Sequence, residues 1–138
     1  MLRSYFIKKS DIINIEKIIS DLNELKIMTN GRDDSYFYNG YEMNILCDLV
    51  NDVENKLNRI SDNIKNKYSD IYWDIIKDKY NLEGNLKLGT VWNLSNGKLY
   101  NKLYNNLMNI LEIELPVYYK NYCDRMHIKA IRRRKTNE

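Results

Sequence analysis

The sequence predicts an all-α protein, and three observations support this fold class. The chain of 138 residues contains one Pro and five Gly, so few residues interrupt helices. Apolar residues recur every three or four positions over long stretches, which is the spacing of a helix with one buried face. The hydrophobic fraction of 43% and the charged fraction of 30% are typical of a soluble globular protein with one domain's worth of sequence.

Several classes of protein are disfavoured by the same composition. No apolar run approaches the roughly 18 residues that a membrane span requires. The first residues, MLRSYFIKKSDI, lack the apolar core of a signal peptide. Cys47 and Cys123 have no CxxC spacing, and His127 is the single histidine. We therefore expect a cytoplasmic protein with reduced thiols, no membrane partner, no metal and no cofactor.

The first helix is predicted to begin at Ser10 or Asp11, because both residue types favour helix N-termini. It is predicted to end near Gly31, which can adopt the left-handed conformation that closes a helix. Its amphipathic stripe comprises Ile12, Ile15, Ile19, Leu22 and Leu25.

A second, longer helix follows a loop without helical periodicity. Its stripe begins at Ile45 or Leu46 and continues through Leu49, Val53, Leu57, Ile60 and Ile64. Two helices of this length most simply form an antiparallel hairpin, which we assign to residues 1–67. Dimerisation through this hairpin and a purely intramolecular core are both compatible with the pattern, so a homo-oligomer stays possible.

A third helix is predicted to start at Ser69 and to bury one face, made by Ile71, Tyr72, Ile75, Ile76 and Tyr80. Asp70, Asp74 and Asp78 fall four residues apart and line another side. A divalent-cation site needs further oxygen ligands from other elements, and none is placed to supply them. We interpret the three aspartates as a solvated acidic face, which can also contact a protein partner.

The segment LKLGTVWNLSNGKLYNKL, residues 86–103, meets the requirements of a helix-turn-helix motif. Gly89 is small enough to let two helices cross closely, and Trp92 and Leu94 can fill the wedge between them. Ser95 can cap a second helix over residues 96–111. The inner stripe of that helix is predicted to comprise Leu99, Leu103, Leu107 and Leu111, with Tyr100 and Tyr104 beside it.

The outer face of the same helix is suited to DNA. Asparagine can pair bidentately with adenine, and lysine can reach guanine or a phosphate. No acidic residue occurs between Gly84 and Leu111. The candidate DNA-binding residues are Asn96, Lys98, Asn101, Lys102 and Asn105, with Lys87 and Ser95 on phosphate. The alternative is a plain amphipathic hairpin whose polar residues merely face water.

The run IYWDIIKDKYNLEGNLKLGTVWNLSNGKLYNKLYNNLMNIL, residues 71–111, resembles the C-terminal region of phage transcription regulators of the RinA and ArpU type. Those proteins in turn look like region 4 of sigma-70 family factors. Leu88-Gly89 match the family's apolar-plus-small pair, Leu94-Ser95 match its turn, and Tyr100 matches its recognition-helix tyrosine. Gly89 stands where the family usually has alanine. The resemblance implies a helix-turn-helix that activates phage genes, with RNA polymerase as a possible partner.

The C-terminal part lies beyond this resemblance. Pro116 suits the first turn of a last helix, so we assign residues 68–115 to the helix-turn-helix region and 116–138 to a C-terminal helix with a basic tail. Arg132, Arg133 and Arg134 can lie along a DNA backbone, or they can form a solvated tail. The tyrosines at 36, 38, 41, 118, 119 and 122 are expected to be mostly buried in a small tyrosine-rich core, and the alternative is that they form an interface.

These observations favour a sequence-specific DNA-binding transcription regulator, which reads the major groove of double-stranded DNA in the cytoplasm of a bacterial host. One alternative is a small terminase subunit that binds packaging DNA. Another is a phage inhibitor that binds a host protein, with the acidic stripe and exposed tyrosines as its working surface. We expect no enzymatic activity, because the chain has no glycine-rich phosphate loop and no nucleophile paired with a histidine.

Overall fold

The computed structural model describes residues 7–32, 40–74, 95 and 97–137. Within these ranges the chain is helical and contains no strand, which confirms the prediction of an all-α protein. The helices are α1 (Lys9–Thr29), α2 (Gly40–Arg59), α3 (Asp62–Lys67) and α4 (Lys98–Asn137). The proposed crossing of two helices at Gly89, with its wedge at Trp92 and Leu94, lies outside the described residues.

Helix α1 packs against both α2 and α4. The start of α1 lies beside the end of α2, where the Asp11 carboxylate accepts hydrogen bonds from Ser61. The end of α1 lies beside the start of α4, where the Tyr100 hydroxyl donates to Asn23 Oδ1 at 3.1 Å. Both long helices therefore run antiparallel to α1. The N-terminal hairpin packs directly on α4, and the three helices share one apolar core.

The buried stripe of α1 follows the prediction with one exchange. Ile18 is fully buried, whereas Ile19 only packs partly against the core. Positions 15, 18, 22 and 25 are spaced by three, four and three residues, so they project from one side of the helix. Helix α1 ends as expected, because Gly31 follows it with a φ of +72°.

Most of the second apolar stripe is buried as predicted, but Leu49 is only partly buried and its neighbour Val50 is fully buried instead. The helix that carries the stripe is interrupted. Helix α2 ends at Arg59, and the short α3 begins at Asp62. At the break, the Ser61 backbone N–H donates to Asp11 Oδ1 at 2.9 Å and the Ser61 hydroxyl donates to Oδ2 at 2.6 Å. Asp11 is only 1% exposed. Instead of capping α1, whose N-cap is Lys8, this carboxylate holds the junction between α2 and α3.

The helix predicted to start at Ser69 does not form over residues 69–74. Turns and bends occupy this stretch instead. The Ile71 N–H donates to the Tyr68 carbonyl at 3.1 Å, and the Trp73 indole N–H donates to the same oxygen at 3.2 Å. These bonds close a turn after Tyr68 and leave Tyr72 49% exposed rather than buried. The remainder of the predicted helix, residues 75–80, lies outside the described part of the chain.

Pro116 does not begin a separate last helix. It lies inside α4, which continues without interruption from the predicted second helix of the motif to Asn137. An interior proline removes one helical hydrogen bond, here to the Glu112 carbonyl. Both Pro116 and Glu112 are exposed residues of α4. No separate helix therefore begins at residue 116.

Gly31 and Gly40 give a matched test of the α1 terminus. We expect Gly31→Ala to lower the free energy of unfolding by about 1 kcal/mol, because an L-residue is strained at positive φ. Gly40→Ala is the control, since Gly40 has equally open surroundings and no positive φ. Urea unfolding measures both variants. Equal stability of the two variants would contradict the left-handed conformation of Gly31.

Candidate nucleic-acid interface

The N-terminal half of α4 separates a buried face from an exposed polar face, as the sequence predicts. Leu99, Leu103, Leu107 and Leu111 are all buried in the core. The exposed side chains are spaced by three, one and three residues and share the opposite side of the helix: Lys98, Asn101, Lys102 and Asn105. We call these four residues the outer face of α4. The structure thus brings four candidate DNA-binding residues together on one exposed surface.

Asn109 extends the outer face by one turn and was not among the candidates. It is exposed and lies four residues beyond Asn105. The same spacing rule that selected the other residues could have found it. Glu112 is the first acidic residue of α4, and it too is exposed. The stretch of α4 without an acidic residue therefore runs from Lys98 to Asn109, about 16 Å at the helical rise of 1.5 Å per residue.

The chemistry of this surface fits a polyanion with hydrogen-bonding groups. Two ammonium groups supply positive charge, and the asparagine amides supply paired donors and acceptors. The major groove of DNA is about 12 Å wide and admits one α-helix. Because the leucine side of α4 is buried against the rest of the protein, only the outer face can approach such a groove.

Ser95 does not have the exposure that a phosphate contact requires. Its exposed fraction is 0%, so the prediction that this hydroxyl touches phosphate is wrong for this conformation. Ser95 is engaged within the protein instead. Lys87 and Asn96, the other two candidates near the start of the helix, lie outside the described residues.

The basic tail lies at the far end of the same helix. Arg132 is exposed, and it is 30 residues, about 45 Å along the helix, from Lys102. Arg133 and Arg134 belong to α4, but their side chains lie outside the described part. The structure therefore does not bring the tail and the outer face into one cluster. They are two basic surfaces on one long helix.

Tyr100 supports the outer face from the buried side of α4. It is buried, its ring stacks on Tyr104 with a centroid distance of 5.4 Å, and its hydroxyl bonds to Asn23 on α1. The Lys26 ammonium lies 4.8 Å from the centre of the Tyr100 ring, a cation–π contact. Burial, and next the neighbouring Tyr104, raise the pKa of Tyr100. These contacts fix the orientation of α4 about its own axis, so that Lys98 and Lys102 face outward.

A second anchor lies in the middle of α4, at a buried carboxylate. Glu114 is 1% exposed, and its Oε1 accepts the Lys67 ammonium at 2.6 Å and the Tyr68 hydroxyl at 2.7 Å. Its Oε2 has no hydrogen-bond partner within the described residues. Burial, followed by the hydrogen bond and charge of Glu114, raises the pKa of Tyr68 strongly. The cluster ties the chain after α3 to α4.

Other candidate sites receive no support from the geometry. Asp70 and Asp74 are exposed as expected of a solvated acidic face, and Asp78 lies outside the described residues. Across the described ranges, no three His, Cys, Asp or Glu side chains come together to hold a metal ion. No helix within those ranges has the length and hydropathy needed to cross a bilayer. Neither Cys47 nor Cys123 forms a disulfide within the described part of the chain.

We compared the chain with protein-family models, with curated proteins and with solved structures, and none of these comparisons found a match. The resemblance to RinA- and ArpU-type regulators therefore stays a prediction, and the function must be argued from the surface of α4.

The Glu114 cluster gives a test of how α4 is held. Tyr68→Phe removes one of two donors to a buried carboxylate, and we expect the free energy of unfolding to fall by about 1–2 kcal/mol. Tyr72→Phe is the control, because Tyr72 is exposed. Urea unfolding at neutral pH measures both. Equal stabilities would show that the hydroxyl contributes nothing to the anchor.

The same residue predicts a dependence on alkaline pH. The folded-state pKa of Tyr68 lies above its ordinary value of 10.0, so the unfolded chain loses this proton first. Its contribution to stability is complete below pH 10 and decreases as pH rises through the folded pKa. We expect the wild-type free energy of unfolding to decline above pH 10 more steeply than that of Tyr68→Phe. Parallel curves would contradict the raised pKa.

Proposed function

We propose that this protein is a sequence-specific DNA-binding transcription regulator, and that the outer face of α4 reads the major groove. One observation carries the proposal. Lys98, Asn101, Lys102 and Asn105 are exposed together on a stretch of α4 that contains no acidic residue, and the opposite side of this helix is buried. The lysines supply affinity for phosphate or guanine, and the asparagines supply hydrogen bonds to base edges.

The rigid support of this surface favours recognition over a loose electrostatic contact. The outer face begins in the first turn of α4, directly opposite the buried Leu99 and Tyr100. Readout of bases needs side chains held in a defined register, and a helix packed on a core provides that register. The resemblance to phage regulators points to the same use of this helix and implies a role in phage gene activation, with RNA polymerase as a possible partner.

A second candidate function is an inhibitor that binds a host protein. It is favoured by the aromatic side chains beyond Pro116, because Tyr119 and Tyr122 are exposed rather than buried as expected. Met126 lies four residues further and is also exposed. Exposed tyrosine and methionine are common in protein interfaces. In this function the outer face of α4 would have no role, which separates the two candidates experimentally.

We expect Lys102→Glu to abolish binding to duplex DNA, because it places a negative charge in the centre of the outer face. Lys17→Glu is the matched control, since Lys17 is an exposed lysine on α1 and the change in net charge is the same. Fluorescence anisotropy with a random-sequence duplex pool of about 20 base pairs, two turns of DNA, measures both variants. Circular dichroism checks that each variant is folded. Equal affinity of Lys102→Glu and Lys17→Glu would refute the proposal.

Sequence readout is tested separately from affinity. We expect selection from the random pool to enrich a defined site for the wild type, and Asn101→Ala to relax the preference at the contacted base pair. Lys98→Gln should instead weaken binding to all sequences and reduce the log–log salt slope by about one, as expected for the loss of one phosphate contact. Selection that enriches no site would exclude sequence-specific recognition.

A further inference from the structure

An open groove lies far from the outer face of α4, between the start of α1, Asn63 on α3 and the C-terminal half of α4. It has a volume of about 650 Å³. That volume falls in the range of about 300–1,000 Å³ typical of ligand sites, so the groove can take several side chains of a partner. We call it the α1–α4 groove, and the residues of its lining that matter here are Lys8, Lys9, Tyr118, Asp124, Arg125 and Ile128.

The α4 wall of the groove continues the buried face of that helix. Leu111 and Glu114 are buried, and Tyr118, Arg125 and Ile128 follow them at multiples of three and four residues. Upstream, this face is covered by the rest of the protein. At the groove the cover ends, and Ile128 is 48% exposed although it lies on the core side of the helix. The groove is therefore lined by the same face of α4 that forms the core upstream, but no further layer of described side chains covers it.

The charge around the groove has one dominant sign. Lys8, Lys9 and Arg125 line it, against a single acidic residue, Asp124. Lys8 is the N-cap of α1 and makes no side-chain cap hydrogen bond. The two lysines thus lie at the positive end of the helix dipole, where cations are unfavourable. Negative charge from a partner would offset the repulsion among these groups.

We propose that the α1–α4 groove binds an amphipathic, acidic helix of a partner protein. Apolar side chains of that helix would cover Tyr118 and Ile128, and its carboxylates would pair with Lys8, Lys9 and Arg125. A helix is the element that fits, because α1, α3 and α4 bound the groove and a further helix can pack against them. A nucleic acid fits less well, since phosphate would leave Ile128 uncovered and would be repelled by Asp124.

The groove and the outer face of α4 lie on opposite sides and at opposite ends of the helix. Lys102 is 23 residues before Arg125, about 35 Å along the helix axis. A partner in the groove would therefore leave the outer face accessible. The proposal does not depend on DNA binding, and each can fail without the other.

The test uses the full chain and a fluorescein-labelled peptide of about 14 residues, four helical turns, with leucines on one face and glutamates on the other. A second peptide carries lysine in place of every glutamate. We expect only the acidic peptide to bind, and we expect Arg125→Glu to weaken that binding by about tenfold or more. Lys120→Glu is the matched control, because Lys120 is exposed on α4 and does not line the groove. Anisotropy gives the affinities.

The apolar contact has its own pair of variants. Ile128→Asp should weaken the acidic peptide by a similar factor, whereas Ile131→Asp changes an exposed isoleucine that does not line the groove and should not. Circular dichroism confirms that both variants fold. Three results would each overturn the proposal: no binding of the acidic peptide, equal binding of both peptides, or identical affinities within each variant pair. The proposal would also be overturned if duplex DNA displaced the acidic peptide and Arg125→Glu removed that displacement. This result would assign the groove to nucleic acid.

Discussion

The packing of α1 between its two antiparallel partners determines where every candidate functional residue lies. Ile15, Ile18, Leu22 and Leu25 are completely buried, and α2 and α4 supply the apolar side chains that bury them. Burial of each such side chain is worth about 1.5–3 kcal/mol, so this contact is the main source of stability in the described part of the chain. Because α4 must turn its leucines toward α1, its lysines and asparagines must face outward.

Polar contacts determine features of the fold that the apolar core does not specify. The Asp11 carboxylate holds Ser61 at the junction of α2 and α3, and the Glu114 carboxylate holds Lys67 and Tyr68 against α4. Each joins segments about 50 residues apart in sequence. A buried charge costs free energy unless it is well paired. These contacts therefore contribute more to the alignment of the helices than to the stability of the fold. Their effect is to set the break after Arg59 and the turn after Tyr68.

Helix α4 is long enough to serve more than one purpose. Its first part is covered by α1 on one side and offers a basic, asparagine-rich surface on the other. Its second part extends beyond that cover, which opens the α1–α4 groove and exposes Tyr119, Tyr122 and Ile128. The two surfaces that we propose for DNA and for a protein partner lie on this single continuous helix and are several turns apart. This arrangement depends on α4 continuing past Pro116 without interruption.

The sequence by itself determined the fold class, the stripes of α1 and α2, the end of α1 at Gly31, and which side of α4 is polar. These depend on the spacing of apolar residues and on the conformational freedom of glycine, and both are local properties. Only the tertiary structure decided that Ser95 is buried, that Asp11 holds α3, that Ser69 begins no helix over residues 69–74, and that α4 passes through Pro116. Those outcomes depend on the packing of segments that are distant in the chain, which the local spacing of residues does not specify.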